Sequence, residues 1–141
     1  MSKIQFFNED IAFVLPNTKS ISKWLENTIK EEGYNLSSLN YIFCSDEYLY
    51  KINLEYLEHD YYTDIITFDN SEDKTSIEGD LFISIERVVE NAQHQSIPFS
   101  EELNRVIIHG TLHLLGYNDK TNAEKQTMRE KENAYLSLLH K

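Results

Sequence analysis

The spacing of apolar residues predicts an amphipathic helix near the start of the chain. Asn17 or Thr18 can cap this helix, and Gly33 can end it in the left-handed conformation. The positions that then share one helical face are Ile21, Trp24, Leu25, Thr28 and Ile29. Because steps of three and four residues place side chains on the same face, we expect this stripe to lie in the core.

Strands and helices alternate through the middle of the chain. Short runs rich in β-branched and aromatic residues indicate strands, and longer segments with helical spacing indicate helices. The predicted strands cover residues 39–44, 63–68 and 80–85, and the predicted helices cover 46–56 and 86–95. Pro98 then breaks the chain before the next helix.

The next helix is nearly apolar around its girth and should be the central, buried one. Ser100 followed by Glu101 and Glu102 is an N-terminal cap signature. From there to residue 115 the apolar positions are Leu103, Val106, Ile107, Leu112, Leu114 and Leu115.

A last amphipathic helix, over residues 122–139, should pack over the sheet or over the central helix. Its apolar positions are Met128, Tyr135, Leu136 and Leu139. No repeat or linker divides the chain, so the sequence predicts one α+β domain over residues 1–141 with about five helices.

The composition is that of an ordinary compact domain, 40% hydrophobic and 26% charged. Cys44 is the single cysteine and lies in an apolar run, so no intramolecular disulfide can form and an inert, buried thiol is expected. The N-terminal segment has no apolar stretch long enough for a signal peptide or a membrane span. We therefore expect a cytoplasmic protein with no membrane partner.

The chain is strongly acidic, with a formal charge of −11 from 13 basic and 24 acidic residues. Between Asp46 and Asp80, eleven acidic residues face only Lys51 and Lys74. This balance argues against tight, nonspecific binding of nucleic acid and is typical of a solvated acidic surface. A function directed at RNA would need a local patch or a partner.

Two histidines four residues apart lie in the predicted central helix. Four helical residues rise roughly 6 Å and bring His109 and His113 onto one face, where both imidazoles can reach one ion at about 2.0–2.1 Å. Such pairs also occur in helices that bind no metal. In an apolar helix, however, each imidazole needs a polar partner, and a shared metal ion provides one for both.

Gly116 and Asp119 complete a candidate metal site. Gly116 can end the helix in the left-handed conformation, so the chain can turn back and bring Asp119 over the histidines. Three protein ligands leave the fourth position of zinc to water, as in catalytic rather than structural sites. The sequence predicts one Zn²⁺ per chain, bound by His109, His113 and Asp119. Gly110 replaces the glutamate base of His-Glu-x-x-His proteases, so peptide hydrolysis of that type is not expected.

Residues 109–117 resemble the hallmark of the YbeY family of bacterial endoribonucleases, His-Gly-x-Leu-His-Leu-x-Gly-Tyr-Asp-His. The resemblance extends along most of the chain. Asn53, Tyr56, Asp60 and residues 63–68 look like the family's Asn…Tyr…Thr-Asp-Val-Leu-Ser-Phe segment. Residues 79–84 look like its Gly-Asp-Ile strand, and Met128 with Glu132 matches its C-terminal helix.

This resemblance implies an α+β domain with a small mixed β-sheet and a zinc-dependent endonuclease that acts on single-stranded RNA. It also implies a part in maturing the 3′ end of small-subunit (16S-type) ribosomal RNA and in ribosome quality control. The implied partners are ribosomal RNA and the small ribosomal subunit or its proteins, and no DNA is expected.

Two positions depart from the family pattern. Asn118 and Asp119 stand in place of Asp-His, so the third ligand would be a carboxylate, which zinc also accepts. Leu57 stands in place of an arginine thought to act at the family's active site, and leucine cannot contact a phosphate. His59 or Arg105 could take over part of that role.

Other roles for these and neighbouring residues stay open. His59 could be a plain surface histidine, and Arg105 could form an ion pair with Glu101 or Glu102. The side chains of Thr63, Asp64 and Asp80 lie at ends of predicted strands, where a carboxylate could orient a ligand histidine, although capping and turn formation explain them equally well. Tyr117 is expected to pack against the helix end.

Three functions are compatible with these residues. The first is RNA hydrolysis by water that the metal activates. The second is a ribosome-associated assembly factor whose zinc is mainly structural, which Leu57 and the acidic charge favour. The third is a metal-dependent hydrolase of another small ester or amide.

Overall fold

The computed structural model describes residues 3–139, which form four strands and five helices. The strands are β1 (Ile4–Asn8), β2 (Asn35–Cys44), β3 (Ile65–Asp69) and β4 (Ser76–Ser84). The helices are α1 (Thr18–Glu31), α2 (Asp46–Leu57), α3 (Ile85–Gln95), α4 (Phe99–Leu114) and α5 (Asn122–Leu139). In this part of the chain, no helix has the length and apolar character that crossing a membrane requires.

The strands form one mixed sheet in the order β1-β2-β4-β3. β2 pairs in parallel with both β1 and β4, whereas β3 pairs antiparallel with β4. Parallel neighbours need a long crossover, which α1 provides between β1 and β2, whereas a short loop is enough between β3 and β4. This arrangement confirms the predicted α+β fold with a small mixed sheet and five helices.

Helix α4 is the central helix, as predicted, and lies against one face of the sheet. Nine of its residues are buried, including Leu103, Ile107 and Leu112. Helices α1 and α5 join the same core, where the Trp24 indole nitrogen donates to the Tyr135 carbonyl at 2.8 Å. Helix α2 packs on the opposite face over a smaller apolar cluster.

The helix stripes predicted from the sequence are largely those that the fold buries. The buried residues of α1 are the five predicted ones, and α5 has the predicted bounds. The strand β1 was not predicted, and β2 and β4 begin four residues earlier than expected, at Asn35 and Ser76. These strands are extended by pairing with neighbouring strands. A local sequence pattern contains no information about that pairing.

The capping predictions were less accurate. Asn17 precedes α1, but its backbone is left-handed (φ 58°) and its side chain makes no capping hydrogen bond. Helix α4 begins at Phe99 after the extended Pro98, so the prediction that Ser100 caps it was wrong. The fixed φ of Pro98 sets the direction of the chain as it enters the helix, and Ser100 lies inside the first turn.

Gly110 lets α4 lie close to the sheet. A β-carbon on this residue would lie 2.9 Å from Leu81 Cδ2 and still closer to Ile65 Cδ1. Real β-carbons do not approach other atoms so closely, so any side chain here would push the helix away or displace its neighbours. A glutamate, as in the zinc proteases, would be forced into the buried helix–sheet contact.

We expect Gly110→Val to destabilise the protein by about 1–3 kcal/mol, because the added carbons overpack the contact with Ile65 and Leu81. Urea denaturation monitored by circular dichroism measures this change. Ser100→Ala is the matched control on the same helix. Since Ser100 does not cap α4, its substitution should change the unfolding free energy by less than about 0.5 kcal/mol. A loss of about 1 kcal/mol at Ser100 would restore its role as a cap.

Candidate metal centre

Three predicted ligand side chains meet at the C-terminal end of α4. His109 and His113 lie one turn apart with their Nε2 atoms separated by 3.0 Å, and their rings are at 78° to each other. Asp119 Oδ2 lies 3.3 Å from His109 Nε2 and 3.5 Å from His113 Nε2. The sequence separates Asp119 from His113 by a turn, and the fold brings them back together.

The two distances from Asp119 Oδ2 fit a single tetrahedrally coordinated ion, and the 3.0 Å between the two imidazole nitrogens is slightly shorter than that geometry requires. Metal–ligand distances of about 2.0–2.2 Å place neighbouring corners of a tetrahedron about 3.3–3.6 Å apart. Two imidazole nitrogens and one carboxylate oxygen are ligands that zinc and similar first-row metals accept. The side chains of His109, His113 and Asp119 are 25%, 26% and 39% exposed, so a fourth ligand can reach the same point from solvent. The group could therefore hold a metal ion.

The turn that positions Asp119 is held by backbone hydrogen bonds. Gly116 has φ 100°, a left-handed conformation that favours glycine. The Gly116 amide donates to the His113 carbonyl and the Tyr117 amide to the Leu112 carbonyl, both at 3.1 Å. This pair of bonds is the Schellman motif, which ends a helix and reverses the chain. The predicted role of Gly116 is confirmed.

A carboxylate at the end of α1 anchors this turn to two other helices. Tyr117 donates to Glu32 Oε1 at 2.6 Å, Lys131 donates to Oε2 at 3.2 Å, and the Tyr135 hydroxyl also donates to Oε2. Burial by itself raises the pKa of Glu32, but these hydrogen bonds outweigh burial and hold the pKa below its usual value. The ionised carboxylate thus ties the ligand-bearing turn to α1 and α5. Tyr117 is a packing residue, as expected.

Glu132 on α5 orients the first histidine. His109 Nδ1 lies 2.6 Å from Glu132 Oε2, and Arg105 donates to Glu132 Oε1 at 2.7 Å. A carboxylate that accepts the Nδ1 proton leaves the Nε2 lone pair directed at the candidate metal position. Sequence analysis noted Glu132 only within the family resemblance and missed this role. The sequence did contain a local signal for this role. Glu132 lies four residues after Met128, on the same face of α5 as the apolar stripe, so its carboxylate is expected to be buried.

The pKa values of this pair reflect their contact. Burial alone lowers the pKa of His109, but the hydrogen bond and charge of Glu132, with further help from Asp119 and Asp64, raise it above its usual value. Burial alone raises the pKa of Glu132, but its bonds to His109 and Arg105 bring it below its usual value. The carboxylate is therefore ionised and ready to fix the imidazole.

A cleft of about 360 Å³ opens beside His109 and Asp119. Asp64 lies in its wall, and burial raises the pKa of this carboxyl despite nearby positive charge. Three cationic side chains also line the cleft: Arg105, Lys125 and Arg129. Lys125 and Arg129 were not predicted, although their four-residue spacing on α5, in line with Glu132, places them on one helical face.

The family described as Endoribonuclease YbeY matches this chain over residues 4–140. The chain belongs to the YbeY family. A relative from Cytophaga hutchinsonii named Endoribonuclease YbeY is 58% identical over 96% of this chain and 94% of its own length. Relatives of the same name from Amoebophilus asiaticus and Porphyromonas gingivalis are 53% and 42% identical, over 96% and 99% of this chain and 92% and 91% of their own lengths.

A solved structure has the same fold. The solution structure of TM1509 from Thermotoga maritima superposes with a TM-score of 0.68 and 27% identity. The match covers 96% of this chain and 88% of that protein. The resemblance inferred from the sequence is thus confirmed, and the chain is a member of a family of hydrolytic nucleases.

Leu57, which stands in place of the family arginine, and the two residues considered as substitutes for it lie in different surroundings. Leu57 ends α2 and is 39% exposed. The ring of His59 stacks on Tyr61, whose hydroxyl lies 2.9 Å from His59 Nδ1. Arg105 forms its ion pair with Glu132 on another helix, so the expected pairing with Glu101 or Glu102 was wrong. A contact between distant helices cannot be inferred from helical spacing.

The candidate residues at the strand ends, Thr63, Asp64 and Asp80, lie in different parts of the structure. Thr63 and Asp64 precede β3, and Asp64 reaches the metal cleft. Asp80 instead accepts hydrogen bonds from Asn40 and Asn70. The carboxylate that bonds to a candidate ligand histidine is therefore Glu132, on a helix rather than on a strand.

We expect Glu132→Gln to lower the pKa of His109 in metal-free protein and to weaken Zn²⁺ binding about 10–100-fold. The physical reason is the loss of the carboxylate that stabilises the imidazolium and aligns the ring. NMR titration of the imidazole measures the pKa, and competition with a chromophoric chelator measures the affinity. Asn133→Ala, which removes only the 2.8 Å contact with Arg105, is the matched control and should leave both values unchanged.

The sign of the pH effect follows from the raised pKa of His109. In metal-free protein this group stabilises the fold below its ordinary pKa, and the contribution is lost as the pH rises through the raised pKa. Metal affinity shows the opposite trend, because protons compete for the imidazole as the pH falls through that value. A His109 pKa that is the same in wild type and Glu132→Gln would contradict the orienting role of Glu132.

Proposed function

We propose that this chain is a zinc-dependent endoribonuclease in which His109, His113 and Asp119 bind one Zn²⁺ per chain. The observation that carries the proposal is the convergence of these three side chains beside a cleft in a member of the YbeY family. Two imidazoles and a carboxylate with one coordination position open are a ligand set typical of catalytic zinc.

When bound, zinc would lower the pKa of a water molecule to about 7 and polarise a phosphate oxygen. The chain's own residues supply the positioning. Glu132 holds the His109 ring at 2.6 Å, and Lys125 and Arg129 bring positive charge to the cleft, where a phosphate can bind. Because Gly110 faces the sheet, a base at that position, as in the zinc proteases, is excluded.

The proposed substrate is single-stranded RNA, in particular the 3′ region of small-subunit ribosomal RNA. The name of the relatives supports RNA, and the family resemblance supports the ribosomal substrate. With a net charge of −11, the chain gains little from nonspecific attraction to phosphates. Binding to the small ribosomal subunit or one of its proteins would supply the missing affinity, and it implies a cytoplasmic location.

A second candidate is a ribosome-associated assembly factor with structural zinc and weak or absent cleavage. It is favoured by one observation: Leu57, half exposed at the end of α2, stands where the family has an arginine. One measurement distinguishes the two candidates, namely metal-dependent cleavage of small-subunit particles and of a ribosomal RNA fragment. The endoribonuclease should cleave them, and the assembly factor should cleave them weakly or not at all.

We expect Asp119→Ala to lose most of its zinc, because two imidazoles alone hold the ion weakly, whereas Asp119→His should retain it. Asn118→Ala is the neighbouring control and should keep about one zinc per chain. His109→Ala and His113→Ala should each lose most of the metal. Elemental analysis of protein purified without chelator measures all five variants. Retention by Asp119→Ala together with loss by Asn118→Ala would assign the third ligand to Asn118.

We expect Arg129→Ala to slow single-turnover cleavage of single-stranded RNA about tenfold while retaining zinc, since about 1.4 kcal/mol of phosphate stabilisation would be lost. Lys19→Ala removes an exposed cation of α1 that lies outside this cleft and should leave the rate unchanged. The His113→Ala protein, once shown to be metal-free, should not cleave. Cleavage by His113→Ala at the wild-type rate would indicate a contaminating nuclease, and zinc-loaded wild type that cuts neither free RNA nor small-subunit particles would favour the assembly factor.

A further inference from the structure

A second cavity, of about 540 Å³, lies on the face of the sheet opposite to α4. Side chains alternate between the two faces along a strand. In β4, Leu81 faces α4, where it lies next to Gly110. Asp80 and Phe82 therefore project from the other face, into a space between α2 and the strands β3 and β4.

Four aromatic side chains line this cavity, which we call the aromatic pocket: Tyr48 and Tyr56 of α2, Phe68 of β3 and Phe82 of β4. The rings of Tyr48 and Phe82 are stacked, with centroids 6.4 Å apart and planes at 11°. Phe68 meets Phe82 edge to face at 5.8 Å. Tyr56 is 65% exposed at the rim. The pocket thus offers ring surfaces to a flat ligand.

A fixed carboxylate supplies the polar side of the aromatic pocket. Asp80 Oδ1 accepts from Asn40 at 3.0 Å, and Oδ2 accepts from Asn70 at 3.2 Å. These two bonds hold the carboxylate in place, and each oxygen can accept another hydrogen bond. Lys51 also lines the pocket and brings a positive charge to it.

We propose that the aromatic pocket binds one unpaired base of the RNA strand that is cut at the metal centre; this inference rests on the proposed function. Aromatic rings with a hydrogen-bonding group beside them are the way proteins recognise unpaired bases. The rings of Tyr48, Tyr56, Phe68 and Phe82 supply stacking, and Asp80 supplies the acceptor. Lys51 is placed to meet the phosphate of the bound nucleotide.

The edge strand β3 connects the aromatic pocket to the metal centre. Asp64 and Ile65, at the start of β3, line the metal cleft, and Phe68, near its end, lines the aromatic pocket. Because β3 is at the edge of the sheet, only one strand, about 5 Å wide, lies between the two sides. A single RNA strand can pass around this edge, whereas a duplex has no unpaired base to place in the pocket.

Binding through bases also suits the charge of the protein. Glu55 and Asp80 both line the aromatic pocket, and the chain carries a net charge of −11. Carboxylates repel phosphates but accept hydrogen bonds from base amino groups. Bases therefore face the protein and most phosphates face solvent, so this contact should depend weakly on salt.

The carboxylate of Asp80 should determine which bases the aromatic pocket prefers. Cytosine and adenine carry an exocyclic amino group that can donate to it, whereas uracil has an acceptor oxygen where cytosine has its amino group. Cytosine and uracil have the same ring size, so they isolate this effect from stacking. The aromatic pocket should bind cytosine more tightly than uracil.

The stacking contact is tested with two exposed tyrosines. The experiment measures binding of fluorescein-labelled octacytidylate by anisotropy, in chelator, so that no cleavage occurs. Tyr56→Leu should weaken binding about fivefold or more, and Tyr56→Trp should restore it. Tyr61→Leu removes a ring that is 54% exposed and lies outside the aromatic pocket, and it should bind as wild type does. Equal affinities for Tyr56→Leu and Tyr61→Leu, or no binding by wild type, would overturn the proposal.

The acceptor is tested by comparing octacytidylate with octauridylate. Wild type should prefer octacytidylate about fivefold or more, and Asp80→Asn should lose this preference while its affinity for octauridylate stays the same. A preference that persists in Asp80→Asn would overturn the role of the carboxylate. Because the binding is measured in chelator, these comparisons report on the aromatic pocket without the metal. Binding without cleavage in zinc-loaded wild type would therefore refute the proposed function but not the aromatic pocket.

Discussion

The close contact between α4 and the sheet sets the position of the two histidines of the candidate metal site. Gly110 lies against Ile65 and Leu81, so the helix has one rotation in which the sheet accepts it. In that rotation His109 reaches the cleft that Asp64 and Ile65 also line, and His113 lies one turn further along the helix. The residue that would carry the base of a zinc protease is the one that the packing requires to have no side chain.

Two carboxylates then attach the metal centre to the rest of the fold. Glu132, buried on α5, bonds to His109 and Arg105, and Glu32, at the end of α1, bonds to Tyr117, Tyr135 and Lys131. Each is surrounded by donors that more than offset the cost of burying its charge. Helix α5 contributes to both groups, so its packing on α4 aligns the first histidine and the ligand-bearing turn together.

The sequence was sufficient where the structure depends on local spacing. The stripe of α1, the bounds of α5 and the glycine turn could all be predicted, because each is determined by residues a few positions apart. The small mixed sheet followed from the family resemblance. The role of Glu132, the actual partner of Arg105 and the strand β1 could not, since each depends on contacts between distant segments. The aromatic pocket shows the same limit: its walls come from α2, β3 and β4, and no single segment contains its pattern.

The turn after α4 has an evolutionary consequence. Its shape is set by backbone hydrogen bonds at Gly116 and Tyr117 and by the anchor at Glu32, and the side chain of Asp119 adds contacts with His109 and His113. If Asp119 is the third ligand, as we propose, an imidazole could replace its carboxylate while the backbone of the turn keeps its own hydrogen bonds. Such an exchange would change the net charge and the affinity of the proposed metal centre through a single residue, while His109 and His113 kept their places on α4.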